Sequence, residues 1–72
     1  MNIEEAQILL KDRGVSIMHM PDGYMVTVFR REGSPSRRIE IDEMDAILAL
    51  GKIRLIAVKD TVGDIIIEVS KT

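Results

Sequence analysis

Apolar positions in this chain first repeat at a helical spacing and then alternate as in strands. Ile3, Ala6, Leu9 and Leu10 fall on one face of a helix. Asn2 stands where an N-cap belongs, and Glu5, three residues later, completes a capping-box sequence. Glu4 and Glu5 suit the positive end of the helix dipole, and Lys11 and Arg13 suit its last turn. Gly14 can take the left-handed conformation that ends the helix.

A hairpin follows. Val15 to Met20 reads as one strand and Tyr24 to Arg31 as its partner. Met20-Pro21-Asp22-Gly23 carries the residues of a tight turn, with proline presetting one corner and glycine available for positive φ. A type I turn with a glycine bulge would set Met20 against Tyr24, Met18 against Val26 and Ser16 against Val28. The other face would then pair His19 with Met25, Ile17 with Thr27 and Val15 with Phe29. Both faces come out largely apolar in that register. One can pack on helices, and the other needs a second cover, which is the sequence's main argument for a homodimer.

Gly33-Ser34-Pro35-Ser36 reads as a loop. Arg37 to Ile41 reads as a third strand, with Ile39 and Ile41 on one face. Asp42 is placed to cap a second helix whose apolar positions are Met44, Ile47, Leu48 and Ala49 or Leu50, and Gly51 ends it. Lys52 to Lys59 and Ile65 to Val69 form a second hairpin, with its turn within Asp60-Thr61-Val62-Gly63-Asp64. The Ile65-Ile66-Ile67 run calls for burial on both faces or an oligomer contact, since an exposed edge of this composition aggregates. Ser70-Lys71-Thr72 is a polar tail. The predicted fold is a single α+β domain over residues 1–72, in the order α-β-β-β-α-β-β, with an antiparallel sheet and two helices packed on one face.

Composition narrows the function classes. Of 72 residues, eleven are Ile, six Val and five Leu, while Tyr24 and Phe29 are the only aromatics. This is a core of branched aliphatic side chains, suited to strands. The absence of cysteine excludes disulfides, thiolate metal sites and cysteine nucleophiles, and fits a cytoplasmic setting. No run approaches the ~18 apolar residues of a membrane span, and Glu4 and Glu5 do not suit the basic start of a signal peptide.

The net charge of −2 is unevenly spread. Arg30, Arg31, Arg37 and Arg38 against Glu32 give +3 over residues 29–38, and Glu40, Asp42, Glu43 and Asp45 then give −4 over residues 39–50. The arginines form the strongest local field in the chain. Guanidinium groups recognise phosphate or carboxylate bidentately, so the hairpin end is the candidate partner-binding site. Strand alternation directs neighbouring arginines to opposite faces. The competing reading is a solvated edge neutralised by its acidic neighbours. Tyr24 and Met20 join the partner-binding set as hairpin residues suited to an interface; Met18, Met25 and Met44 add adaptable apolar surface.

Catalytic and metal chemistry find little support. His19 is the sole histidine, and its near neighbour Asp22 lies in a turn, where aspartate usually bonds its own backbone. Helix capping accounts for the acidic block, which lacks a calcium-loop pattern. The serines sit in no nucleophile-elbow context, and the glycines mark element ends instead of forming a phosphate-cradling loop. The chain therefore reads as a non-enzymatic protein-interaction module, regulatory or inhibitory, homodimeric through apolar strand faces and without cofactor or metal. Nucleic-acid binding through the four arginines is the alternative, and no membrane partner is expected.

Overall fold

The computed structural model describes residues 1–35, 37–59 and 62–71. Two helices, α1 (Ile3–Asp12) and α2 (Ile41–Leu50), accompany four strands, β1 (Ser16–Met20), β2 (Gly23–Val28), β3 (Lys52–Lys59) and β4 (Ile65–Ser70). All pairings are antiparallel and the sheet order is β1-β2-β4-β3. The chain has the expected α+β fold. Its order, α-β-β-α-β-β, lacks one predicted strand.

The first helix forms as its sequence dictates. The Asn2 side chain accepts the Glu5 N–H at 2.8 Å, and the Glu5 carboxylate accepts the Asn2 N–H. Gly14 follows the C-terminus at φ 74°. The second helix begins two residues earlier than its sequence suggests. Glu40 occupies the N-cap position, and Asp42 lies in the first turn, where it pairs with Arg13 at the end of α1. Fully buried, small Ala6 and Ala46 suit the close approach of α1 to α2.

The missing strand is the segment from Arg37 to Glu40. Two of its backbone groups bond nearby side chains instead of a ladder: Arg37 donates to the Arg38 carbonyl, and Glu43 accepts the Glu40 N–H. Ile41, expected beside Ile39 on a strand face, starts α2 and is 84% exposed, while Ile39 packs against the core. Likewise β2 stops at Val28, because the Arg30 N–H goes to the Asp64 carboxylate at 2.7 Å.

The first hairpin differs from expectation by one residue of register. A two-residue loop sets Met20 opposite Gly23, and the ladder continues His19↔Tyr24, Met18↔Met25, Ile17↔Val26 and Ser16↔Thr27. A one-residue shift exchanges the faces. Val15, Ile17, Tyr24, Val26 and Val28 now share the helix-covered side, continued across β4 by Ile65, Ile67 and Val69. The doubly apolar hairpin is thus replaced by one apolar face and one mixed face, the pattern of a sheet covered on one side. Gly23 serves closeness instead of positive φ: a Cβ there would stand 1.8 Å from the Val69 carbonyl oxygen. Of the expected second turn, Asp60 and Thr61 lie outside the described residues, as do Ser36 of the loop and Thr72 of the tail.

Candidate interaction site

The four arginines leave the sheet on the segment between β2 and α2, and the fold gives them different tasks. Arg37 is 8% exposed and Glu43 has no exposed surface. Their side chains meet bidentately, at 3.0 and 2.7 Å. The Arg37 guanidinium holds the Glu43 carboxyl below the ordinary carboxylate range. Burial opposes that shift, and the Glu40 N–H adds to it. The same carboxylate raises the affinity of Arg37 for its proton. The pair fastens the segment before α2 to the helix's first turn.

Arg30 is also committed. Its N–H bonds Asp64, and its guanidinium donates to the Ser34 carbonyl at 2.7 Å. That bond closes the loop around a turn in which Ser34 N–H donates to the Arg31 carbonyl and Gly33 takes φ 84°. Gly63 packs against this loop, since a Cβ there would meet the Pro35 carbonyl oxygen at 2.5 Å. Arg31 and Arg38 remain: both are exposed, and neither guanidinium pairs with a described residue. With Ser34, Arg37 and Glu40 they line a shallow concavity of about 170 Å³.

Tyr24 and Met20 lie at the opposite end of the sheet, beside the β1–β2 turn. Tyr24 is buried on the helix-covered side, with His19 edge-on at 5.1 Å and the Lys71 ammonium 5.4 Å from its ring centre. Met20 is half-buried on the other side. The residues singled out from sequence therefore do not form one site. Among the described residues no group of three His, Cys, Asp or Glu is gathered as metal donors, and no helix is long and apolar enough to cross a membrane.

A second surface emerges from the register. Side chains on the helix-free face form three rows across the sheet: Met20, Gly23, Ser70, Lys52; then Met18, Met25, Glu68, Leu55; then Ser16, Thr27, Ile66, Val58. Met18 is 56% exposed, Leu55 40% and Val58 41%. At the turn end, Arg54 bridges Asp22 and Glu68, with its nearest contacts at 2.7 and 2.8 Å. Arg54 holds the exposed Asp22 carboxyl below its ordinary range. Sequence reading singled out the methionines, but Leu55, Val58 and Ile66 join them only once strands distant in sequence are paired. A scan against protein-family models finds no match, and searches of curated proteins and of solved structures find none either.

Proposed function

We propose that this chain is a small non-enzymatic protein-interaction module, regulatory or inhibitory in character, that lays the helix-free face of its sheet on a protein partner. The observation that carries this reading is the exposure of Met18, Leu55 and Val58 on a face that none of the described helices covers. Adaptable methionines beside aliphatic side chains suit an irregular apolar surface. Arg54 offsets one of the two carboxylate charges of Asp22 and Glu68 and leaves that end of the face polar. The matching partner patch is apolar at its centre and polar at that end.

A phosphate-binding reading has less to draw on, because Arg37 and Arg30 are engaged within the fold, and of the four only Arg31 and Arg38 have guanidinium groups that pair with no described residue. The discriminating experiment is co-purification of partners from the native host, comparing the parent chain, a Leu55→Glu/Val58→Lys variant and an Arg31→Ala/Arg38→Ala variant. Loss of the same protein partner with the face variant alone supports the proposal. Loss with the arginine variant alone, and sensitivity to nuclease, overturns it.

A further inference from the structure

We infer that a second copy of this chain pairs antiparallel along β1, so that two four-stranded sheets become one sheet of eight strands with α1 against its symmetry mate. The two edges of the sheet are built differently. β3 breaks its register between Ile53 and Leu55 and again between Leu55 and Val58, and it carries Lys52 and Arg54. Bulges and charges of this kind guard an edge against further pairing. β1, Ser-Ile-Met-His-Met, contains no Asp, Glu, Lys, Arg or proline and pairs with β2 in unbroken register. It is an edge without a guard.

The backbone atoms that would bond the second copy can be named. Lys71 N–H donates to the Asp22 carbonyl at 3.0 Å, which sets the alternation: Asp22 and Tyr24 face β4, and Gly23 and Met25 face β1. Met20 and Met18 therefore spend their backbone groups on β2, and Ile17 and His19 turn theirs outward. A two-fold axis at Met18, the middle residue of β1, sets Ile17 opposite His19 of the second copy and gives four hydrogen bonds.

The helix above agrees with the same axis. The loop from Arg13 to Val15 returns the chain antiparallel, and a groove of about 280 Å³ between the elements is lined by Gln7 and Lys11 from α1 and by Val15, Ile17 and His19. The middle of α1 therefore lies level with the middle of β1. Glu4 and Lys11 are exposed, stand on one side of α1 and pair with no described residue. Rotation about an axis between Gln7 and Ile8 sets Glu4 against Lys11 of the second copy, and the reverse. Ile8, 63% exposed, lies near the centre of that contact. The spacing is workable: strands ~4.8 Å apart and two helices spread over four strands leave α1 and its mate about 9 Å apart, within the usual 8–10 Å of packed helices.

The pairing needs nothing from the partner reading, but one consequence rests on it. One helix-free face spans roughly 400 Å², from four strands at ~4.8 Å and about six residues at ~3.4 Å. A specific interface covers about 800 Å² per partner. Two copies in one sheet supply that area.

The test is molar mass by light scattering over a concentration series, on the parent chain, His19→Pro, Glu4→Lys and Glu4→Lys/Lys11→Glu. Proline at position 19 removes an outward N–H and none that bonds β2, so the hairpin stays intact while the edge is blocked. The parent should reach twice its 8.1 kDa mass, and His19→Pro should stay at the monomer mass. Glu4→Lys should weaken the dimer by roughly two- to tenfold, the range expected when exposed ion pairs are lost, and the doubly swapped variant should recover it. The swap keeps the test decisive if the proline variant fails to fold. A parent that is monomeric throughout, or a dimer indifferent to His19→Pro and to the swap, overturns the pairing. Leu55→Glu/Val58→Lys should leave the mass of the dimer unchanged. Loss of a partner with that variant therefore reports on the face, and loss of mass with His19→Pro reports on the edge.

Discussion

Arg37 and Arg38 are adjacent, chemically identical and members of one charge block, yet they belong to different parts of the molecule. Arg37 turns inward to Glu43 and is nearly excluded from solvent; Arg38 is exposed, and only its backbone carbonyl takes part, accepting from Arg37. The difference is set by the four-residue extended segment before α2. It offers one side to the core, where Ile39 packs, and the other to water. A charge block in sequence is thus not a charge patch in space. Two partners flank this one: Glu43, six residues on, takes Arg37, and Asp64, from the far end of the chain, takes the backbone of Arg30.

Deleting each arginine in turn separates the two roles. Arg37→Ala leaves a buried Glu43 carboxylate without its counter-charge, and removing one partner of a buried pair costs about 3–5 kcal/mol. For a domain whose whole stability is about 5–15 kcal/mol, that is a large fraction of the total, and the urea midpoint should fall steeply. Urea titration followed by circular dichroism measures it. Equal losses for Arg37→Ala and Arg38→Ala would show that the inward pair adds nothing. Replacing both partners together, as Arg37→Met/Glu43→Leu, should recover most of the loss, since apolar side chains of similar volume need no counter-charge.

Acid offers a milder probe of the same pair. Glu43 titrates below its ordinary range when folded, so its unfolded form takes up protons first. Its contribution is complete above the unfolded carboxylate value of about 4.3 and is lost as pH falls through the lower folded value. Asp22 shifts in the same direction through Arg54. Stability should therefore fall below about pH 4. The fall should be shallower in Glu43→Gln, which has no carboxyl at that position to protonate. An identical pH profile for the two proteins would place the acid sensitivity elsewhere.

An exposed bridge shows what burial adds to the Arg37 pair. Arg54 joins Asp22 and Glu68 with distances as short as those of Arg37, but its side chain is 37% exposed and Asp22 is 67% exposed. Solvent and salt screen such pairs. Arg54→Ala should move the urea midpoint far less than Arg37→Ala, and the remaining difference should vanish at high salt. A shift as large as that of Arg37→Ala, persisting in high salt, would mean that bidentate geometry outweighs burial.

Much of this architecture is legible in the chain because its cues are local. Asn2 with Glu5, Gly14, Gly51 and the aliphatic run from Ile65 each announce a boundary within a few residues. What local cues miss is set by partners at a distance. Alternation around Ile39 and Ile41 imitates a strand, but Glu43 and Arg37 bond two of the backbone groups that a neighbouring strand would have taken. The hairpin register turns on Gly23, whose lack of a side chain lets β4 approach at the Val69 carbonyl, and β4 lies more than forty residues away in the chain. The helix-free face is assembled from β1, β2, β4 and β3, so no single segment displays it. The arginine block was the most visible feature in sequence for the opposite reason: its four members are close in the chain, while their destinations depend on contacts that the chain order hides.

Arg38→Ala removes a guanidinium that makes no hydrogen bond or ion pair with a described residue, and surface substitutions of that kind usually change stability by less than about 0.5 kcal/mol. Arg31→Ala should behave the same way. Neither should change the fold, so any loss of partner binding in these variants is a loss of contact and not of structure. Arg37→Ala cannot be used in that way, because it removes stability together with any contact and a binding assay does not separate the two. A urea midpoint for Arg38→Ala that falls clearly below the parent's would show that the exposed arginine has a structural partner after all. An unchanged midpoint makes Arg31 and Arg38 the two positions at which the charge block can be tested for recognition without disturbing the pair beneath it.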